Sequence, residues 1–374
     1  MTAGYHRPAA LLLAALIITA TPSRADTRLH YHGDGNTRGD AAALVIAGVI
    51  EPAEIDPLLR AFHDRYPTID ITYQDVSRSY QAHQQWPPSI REGYIDLLMS
   101  SSMGNQYRLA NEGYARPFDA DTLNPNWPRN ARWRNELVGL TREPLVMVYN
   151  RALRDIATPP RDHGELLTLL TQHREALDGR VVSYDPASSA TGFMAMASDV
   201  ARSPEAWSLF EAMGAANAEW RETTTSMLSG LADGRYLIGY NLIGSYARRA
   251  AALHPELVIQ MPRDYALALQ RLAMIPHSAR HPQAAQRFLS FITSPDGQQV
   301  MARETTLSSP HAEGDAADDD ALVPIRPGPA LLTLTDPLQR ASLVAQWRSL
   351  TQGETTESPR IPAINGNAVE SRNR

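Results

Sequence analysis

Between residues 43 and 350, short apolar runs alternate with segments whose apolar residues recur at helical spacing. Ala43 to Ile50 is continuous enough for a buried strand. Glu51-Pro52 then opens a helix carrying Ile55, Leu58, Leu59 and Phe62 on one face. Tyr66-Pro67 stops it, and Ile69-Asp70-Ile71-Thr72-Tyr73 alternates as a second strand. Ile95 to Met99 is a third strand, followed by Ser100-Ser101-Ser102-Met103-Gly104 and a helix with Tyr107, Leu109 and Ala110. Further strands are predicted over 145–150, 181–184, 237–241, 257–260 and 267–275. Helices are predicted over 164–177, Ala206 to Met213, Ser245 to Leu253, Pro282 to Ile292, Gln298 to Glu304 and Leu338 to Leu350. Strand alternating with helix is the pattern of an α/β fold on mostly parallel sheets.

The remaining segments lack periodicity. Residues 1–25 read as a signal peptide, with Arg7, an apolar stretch from Ala9 to Ala20, and Ser23-Arg24-Ala25 as cleavage site. Residues 26–42 form a polar leader, Ala312 to Ala321 an acidic loop, and residues 351–374 a polar tail of the composition that stays disordered. The address this predicts is the periplasm. A chain of 374 residues exceeds what one core supports, so two domains are expected.

Composition narrows the chemistry. The formal net charge is −6, and removal of the signal peptide would take away Arg7 and Arg24 and no acid, giving −8. An acidic exported chain is a poor binder of nucleic acid. There is no cysteine, which excludes thiol nucleophiles, thiolate metal sites and disulfides. All 35 basic residues are arginine, so lysine-based Schiff-base or P-loop chemistry is excluded as well. Any anion held by charge is therefore held by a guanidinium, which suits bidentate recognition of carboxylate or phosphate.

The stretch 181–193 carries a candidate site. Val181 to Tyr184 is a strand, Asp185-Pro186 ends it, and Ser188, Ser189, Thr191 and Gly192 lead into a helix beginning around Phe193. A hydroxyl-rich loop at a helix N-terminus binds anions; it is also what an ordinary capped turn looks like.

Several motifs resemble, in order, the bacterial periplasmic solute-binding proteins of ABC importers, in the ferric-ion and spermidine/putrescine-binding superfamily. They are Leu58-Leu59-Arg60-Ala61-Phe62 before Tyr66-Pro67-Thr68-Ile69, Ile95 to Met103, and Asn111-Glu112-Gly113-Tyr114-Ala115. Gly239-Tyr240-Asn241, Gly244-Ser245-Tyr246-Ala247, and Ala284 to Phe291 before Ser294-Pro295-Asp296-Gly297-Gln298 complete the set. The Ser100-to-Met103 form and the Gly113-Tyr114 ending look closest to a branch that includes phosphoglycerate-responsive regulatory binding proteins.

The resemblance implies a two-lobed periplasmic-binding-protein fold. Lobe one would be 43–141 plus 273–350 and lobe two 142–272, with Arg142 to Asn150 and Gln270 to His277 as hinge strands. It also implies a small anionic solute, and as partner either an importer's membrane permease or a sensor histidine kinase. A monomer without cofactor is expected. Ser188, Ser189, Thr191 and Gly192 would form one jaw, and Ser101, Ser102 and Met103 the other. Arg78 would pair with the anion, and Tyr240 and Asn241 would contact it from a strand end. Trp220, Thr223, Thr224 and Thr225 are secondary candidates.

Three other readings have less support. The ferric-binding relatives use adjacent tyrosines in lobe two, whereas Tyr236 and Tyr240 are not adjacent. His30 and His32 sit at chelating spacing, but no third ligand set accompanies them. For a hydrolase, neither a Gly-x-Ser-x-Gly elbow nor a His-Glu-x-x-His motif is found, and nothing in the spacing pairs Asp185 or Asp264 with a particular histidine.

Overall fold

In the computed structural model, which describes residues 28–33, 43–76, 90–310 and 321–353, the strands build two sheets. In chain order the first part holds β1 (Arg28–Tyr31), β2 (Ala43–Gly48), α1 (Pro52–Arg65), β3 (Asp70–Asp75), β4 (Leu97–Ser100), α2 (Met103–Asn111), β5 (Arg132–Trp133) and β6 (Leu137–Gly139). Next come β7 (Glu143–Asn150), α3 (His163–Gln172), β8 (Val181–Tyr184), α4 (Ala190–Arg202), α5 (Glu205–Ala215), β9 (Glu219–Arg221) and α6 (Thr224–Ala232). They are followed by β10 (Ile238–Ile243), α7 (Gly244–Leu253), β11 (Leu257–Gln260), β12 (Ala266–Leu269) and β13 (Leu272–Met274). The last elements are α8 (Pro282–Thr293), α9 (Pro295–Glu304), β14 (Leu322–Pro324), α10 (Ala330–Thr333) and α11 (Pro337–Thr351).

The first sheet runs β1-β3-β2-β4-β13-β6-β5 and the second β14-β12-β7-β10-β8-β9, with β11 also paired to β7. Both are mixed. Parallel pairing is confined to β3-β2-β4 in one, and to β10-β8-β9 and β12-β14 in the other. The α/β class expected from the pattern and the two lobes implied by the resemblance hold, but the sheets are not mostly parallel. Strands that enter from the other lobe, β13 and β7, arrive antiparallel to their neighbours.

Each lobe has its own core. Pro at the first position starts α1, since its missing N–H would have no partner there anyway. The stripe Ile55, Leu58, Leu59 and Phe62 is fully buried on the first sheet, and Phe62 meets Phe288 of α8 edge-on at 5.1 Å. Each such side chain contributes about 1.5–3 kcal/mol. In lobe two every residue of β7 is buried, because it pairs on both sides and is covered by helices on both faces. A third cluster crosses the junction, joining Leu98, Met103 and Leu272 to Leu145, Met194, Ile243 and Leu269.

Three boundaries differ from expectation. The polar leader contains β1, an edge strand in register with β3 from Arg28↔Gln74 to Tyr31↔Ile71. The single strand expected over 267–275 is two strands in different sheets, with Gln270 and Arg271 crossing between them. The C-terminal stretch does not stay in lobe one. β14 pairs with β12 and α11 packs on α5, burying Trp347 edge-on to Trp220 at 4.9 Å, while α10 between them lies on α2. Residues 1–25 (expected to be a signal peptide), residue 78, most of the acidic loop and residues 354–374 lie outside the described residues. Among the described residues no helix is long and apolar enough to cross a membrane.

Candidate functional site

A cleft of about 750 Å³ opens between the lobes, and five helices begin on its walls. Glu51, Pro52 and Ala53 bring the start of α1, and Ser101 and Ser102 that of α2. From lobe two, Ala190 and Thr191 bring α4, Thr223 to Thr225 bring α6, and Ile243 brings α7. The cause is topological: these helices follow the carboxyl ends of strands, or the loops just beyond them, and in open α/β sheets those ends share one crevice. Each helix start carries roughly half a positive charge and unpaired N–H groups. The α1, α2 and α7 starts have no side-chain cap.

The two jaws are built differently. In lobe one the Ser100 hydroxyl accepts from Ser102 N–H at 3.0 Å, and Ser102 Oγ accepts from Asn105 Nδ2 at 3.0 Å, so Ser101 is the serine turned to the opposite wall. In lobe two Asp185 organises the loop, accepting from Ala187 N–H at 2.8 Å and from the Ser188 hydroxyl at 3.0 Å. Ser189 caps α4 through Gly192 N–H at 3.1 Å. Thr191 then projects across the cleft, its Oγ1 lying 3.4 Å from Ser101 Oγ.

Other bonds join the lobes around this pair. Glu51 accepts from Thr225 Oγ1 at 2.8 Å and from Arg249 Nη1 at 2.9 Å, and Tyr246 donates to Val49 O at 3.2 Å. Tyr73 fixes the same β2–α1 corner by donating to Ile50 O at 2.6 Å and accepting from Ile50 N–H at 3.0 Å.

Among the described residues the charges on the cleft are Glu51, Asp75 and Arg271. Arg271 is 1% exposed and paired to Glu143, with Tyr246 packed against its guanidinium. Burial alone would lower its pKa, but Glu143 and Tyr246 beside it hold it above the ordinary arginine value. Burial also raises the hydroxyls of Tyr184 and Tyr246, which stay protonated donors.

Of the residues singled out from sequence, Ser101, Ser102 and Thr191 line the cleft, as do Thr223, Thr224 and Thr225. Ser189 is occupied as a cap and Ser188 by Asp185. Gly192 is required by packing, since a Cβ there would lie 2.4 Å from Tyr184 Cβ. Met103 is buried in the junction, its sulfur 3.4 Å from Gln270 N. Trp220 packs on Trp347, away from the cleft wall.

Tyr240 and Asn241 turn away from the cleft. The register of β10 slips between Gly239 and Leu242, Asn241 adopts φ +62°, and both side chains reach Asp199 of α4, at 3.0 and 2.6 Å. Arg78 lies outside the described residues. Tyr236 accepts from Arg221 at 2.8 Å, so neither tyrosine considered for iron faces the cleft. His30 is bonded to Thr72 at 3.1 Å, and among the described residues no three His, Cys, Asp or Glu side chains group to hold a metal. Asp264 does meet a histidine, His163 at 2.9 Å.

Sequence reasoning misses Arg271, although a signal was present: Gln270-Arg271 is a polar pair inside an otherwise apolar run. In a buried strand such a pair marks the point where the chain leaves one sheet for another.

The profile of bacterial extracellular solute-binding proteins matches residues 69–323. The substrate-binding protein of an ABC transporter from Agrobacterium tumefaciens superposes with a TM-score of 0.78 at 30% identity, over 87% of this chain and 98% of its own. Fructose-6-phosphate-bound AfuA from Actinobacillus pleuropneumoniae gives 0.64 at 15% identity, over 83% and 98%. Iron-bound HitA from Pseudomonas aeruginosa gives 0.63 at 17% identity, over 83% and 99%. The last two are likenesses of fold. No curated protein sequence matches the chain.

Proposed function

The chain belongs to the bacterial extracellular solute-binding protein family, and from that premise we propose that it captures a small organic anion for an ABC importer. The solute class is a phosphorylated three-carbon acid or a di- or tricarboxylate. One observation carries the reading: five helix N-termini and a set of hydroxyls converge on a single interlobe cleft. Helix starts favour anions through their dipoles and their unpaired N–H groups.

Capture follows from the same geometry. An anion seated on the α2 start of lobe one also meets the α4 and α6 starts of lobe two. It therefore binds the closed arrangement more tightly than an open one, and population shifts toward closure. The closed lobes are then the form presented to a membrane permease. The Agrobacterium relative is the substrate-binding protein of an ABC transporter, which supports the importer as partner. AfuA, alike in fold at 15% identity, was solved with fructose 6-phosphate, so phosphorylated solutes belong in the screen.

The test is a thermal-shift screen of the purified protein against phosphorylated and carboxylic acids, polyamines and metal ions. An anion at 100 times its dissociation constant stabilises by about 2.7 kcal/mol. If polyamines alone raised the melting temperature, the anion reading would fail.

A further inference from the structure

Arg271 lies between β12 and β13, in one of the two segments that cross from lobe to lobe, and Glu143 begins β7 in the other. Both side chains are 1% exposed, and Arg271 borders the cleft. The guanidinium is only partly used. Nη1 bonds Glu143, while Nε, like Glu143 Oε2, is buried with no hydrogen-bond partner among the described residues. A buried N–H left without a partner is destabilising, so this arrangement is costly unless something else accepts the bond. Tyr246 packs at 5.4 Å from the guanidinium carbon and fixes its plane. The uncapped starts of α2 and α7 open onto the same cavity.

We propose that Arg271 is the specificity-determining residue of the cleft, donating Nε–H to a planar or tetrahedral oxyanion, carboxylate or phosphate, while Glu143 positions it. The inference rests on the anion reading above and deepens it. A guanidinium presents donors in a fixed plane that match two oxygens of one group, which a neutral sugar does not offer. Glu143 has a double effect. It holds the guanidinium in place, and its charge offsets part of the attraction for the anion.

The experiment is isothermal titration with glycerol 3-phosphate, malonate and inorganic phosphate, on the wild-type chain and two variants, with melting temperatures recorded alongside. Arg271→Lys keeps a cation for Glu143 but removes Nε–H, and it should weaken the best-bound probe at least tenfold. Glu143→Gln keeps Arg271 and removes the offsetting charge, so it should tighten that probe several-fold even as it lowers the melting temperature. This second variant decides the matter if Arg271→Lys does not fold. Arg271→Lys binding like wild type, or Glu143→Gln leaving affinity unchanged or weaker, overturns the proposal and leaves the anion reading standing. Wild-type chain that bound none of the three probes would overturn both.

Discussion

Ser101 Oγ and Thr191 Oγ1 lie 3.4 Å apart, although one opens a helix of lobe one and the other a helix of lobe two. The contact is long for a hydroxyl pair, so it does little to hold the lobes together. Its meaning is positional: one small anion can accept from both hydroxyls. Ser101→Ala and Thr191→Ala should each weaken binding of the best anion by about three- to tenfold, the scale of one hydrogen bond of roughly 0.5–1.5 kcal/mol. Melting temperatures should barely change. Ser189→Ala, two residues away from Thr191, should behave in the opposite way. It removes a helix cap worth about 1 kcal/mol, which urea unfolding would register.

Gly192→Ala tests whether that glycine serves the ligand or the fold. The added methyl would stand 2.4 Å from Tyr184 Cβ and 3.1 Å from Ser189 Cβ. Neither is a flexible end, so α4 must shift off β8. Overpacking of this kind costs about 1–3 kcal/mol. A fall in urea midpoint, with affinity disturbed only as α4 moves, is the expected result; unchanged stability would show that the contact yields.

Glu51 joins the lobes by accepting from Thr225 and Arg249. Both members of the ion pair are about one-third exposed, so its share is at most about 1 kcal/mol. Glu51→Gln should speed dissociation of a bound anion by up to fivefold, with little change in association rate. Stopped-flow fluorescence would separate the two rates, and an equal slowing of association would contradict the latch.

The C-terminal helix belongs to lobe two through Trp347, and Arg340 donates to Pro186 O and Ala187 O, both at 3.0 Å, in the loop before α4. Trp347→Ala should cost about 3–5 kcal/mol. Arg340→Ala is a milder change that should raise amide exchange across 185–192 while leaving lobe one protected. Exchange spreading to lobe one instead would place α11 wrongly.

Asp199 gives the fold a pH dependence. It is fully buried, accepting from Tyr240 at 3.0 Å, Asn241 at 2.6 Å and Tyr265 at 3.1 Å. Burial raises its pKa above the ordinary carboxylate value, against the opposing pull of His163 and these three donors. A carboxyl raised on folding stabilises fully below its unfolded pKa and loses that contribution as pH rises through the folded value. Relative to Asp199→Asn, the wild type should therefore lose stability from the ordinary carboxylate range upward. Asp264 runs the other way. Burial alone would raise it, but the bond and charge of His163 leave it lowered, so its contribution is lost as pH falls through that lowered value. Urea midpoints in steps from about pH 3 to 7 would resolve the two slopes. A wild-type minus variant difference that grew in favour of wild type with rising pH would contradict the assignment of Asp199.

Much of the fold can be read from local pattern. Strands such as β2 and β7 stay largely apolar along their length, and Ser189 at the start of α4 announces itself as a cap, whereas the serines before α2 do not cap it. What pattern cannot carry is direction at a bulge or choice of lobe. Tyr240 and Asn241 look like a polar strand end aimed at a cleft, yet a register slip turns them to Asp199. The apolar face of α11 predicts that the helix packs, without saying on which sheet. Arg271 falls in a run read as one strand, and only its polar pairing with Gln270 marks where the chain changes sheets.

The five helices that begin at the cleft point like ends at one another from two sides. Bringing the lobes together crowds partial positive charges, and that mutual repulsion grows as the gap narrows. An anion between them acts as a counter-ion and turns repulsion into attraction. On this reading closure should depend on charge before shape: a neutral solute with well-matched hydroxyls would leave the repulsion in place. A neutral solute should therefore bind weakly even before a side chain such as Arg271 discriminates against it.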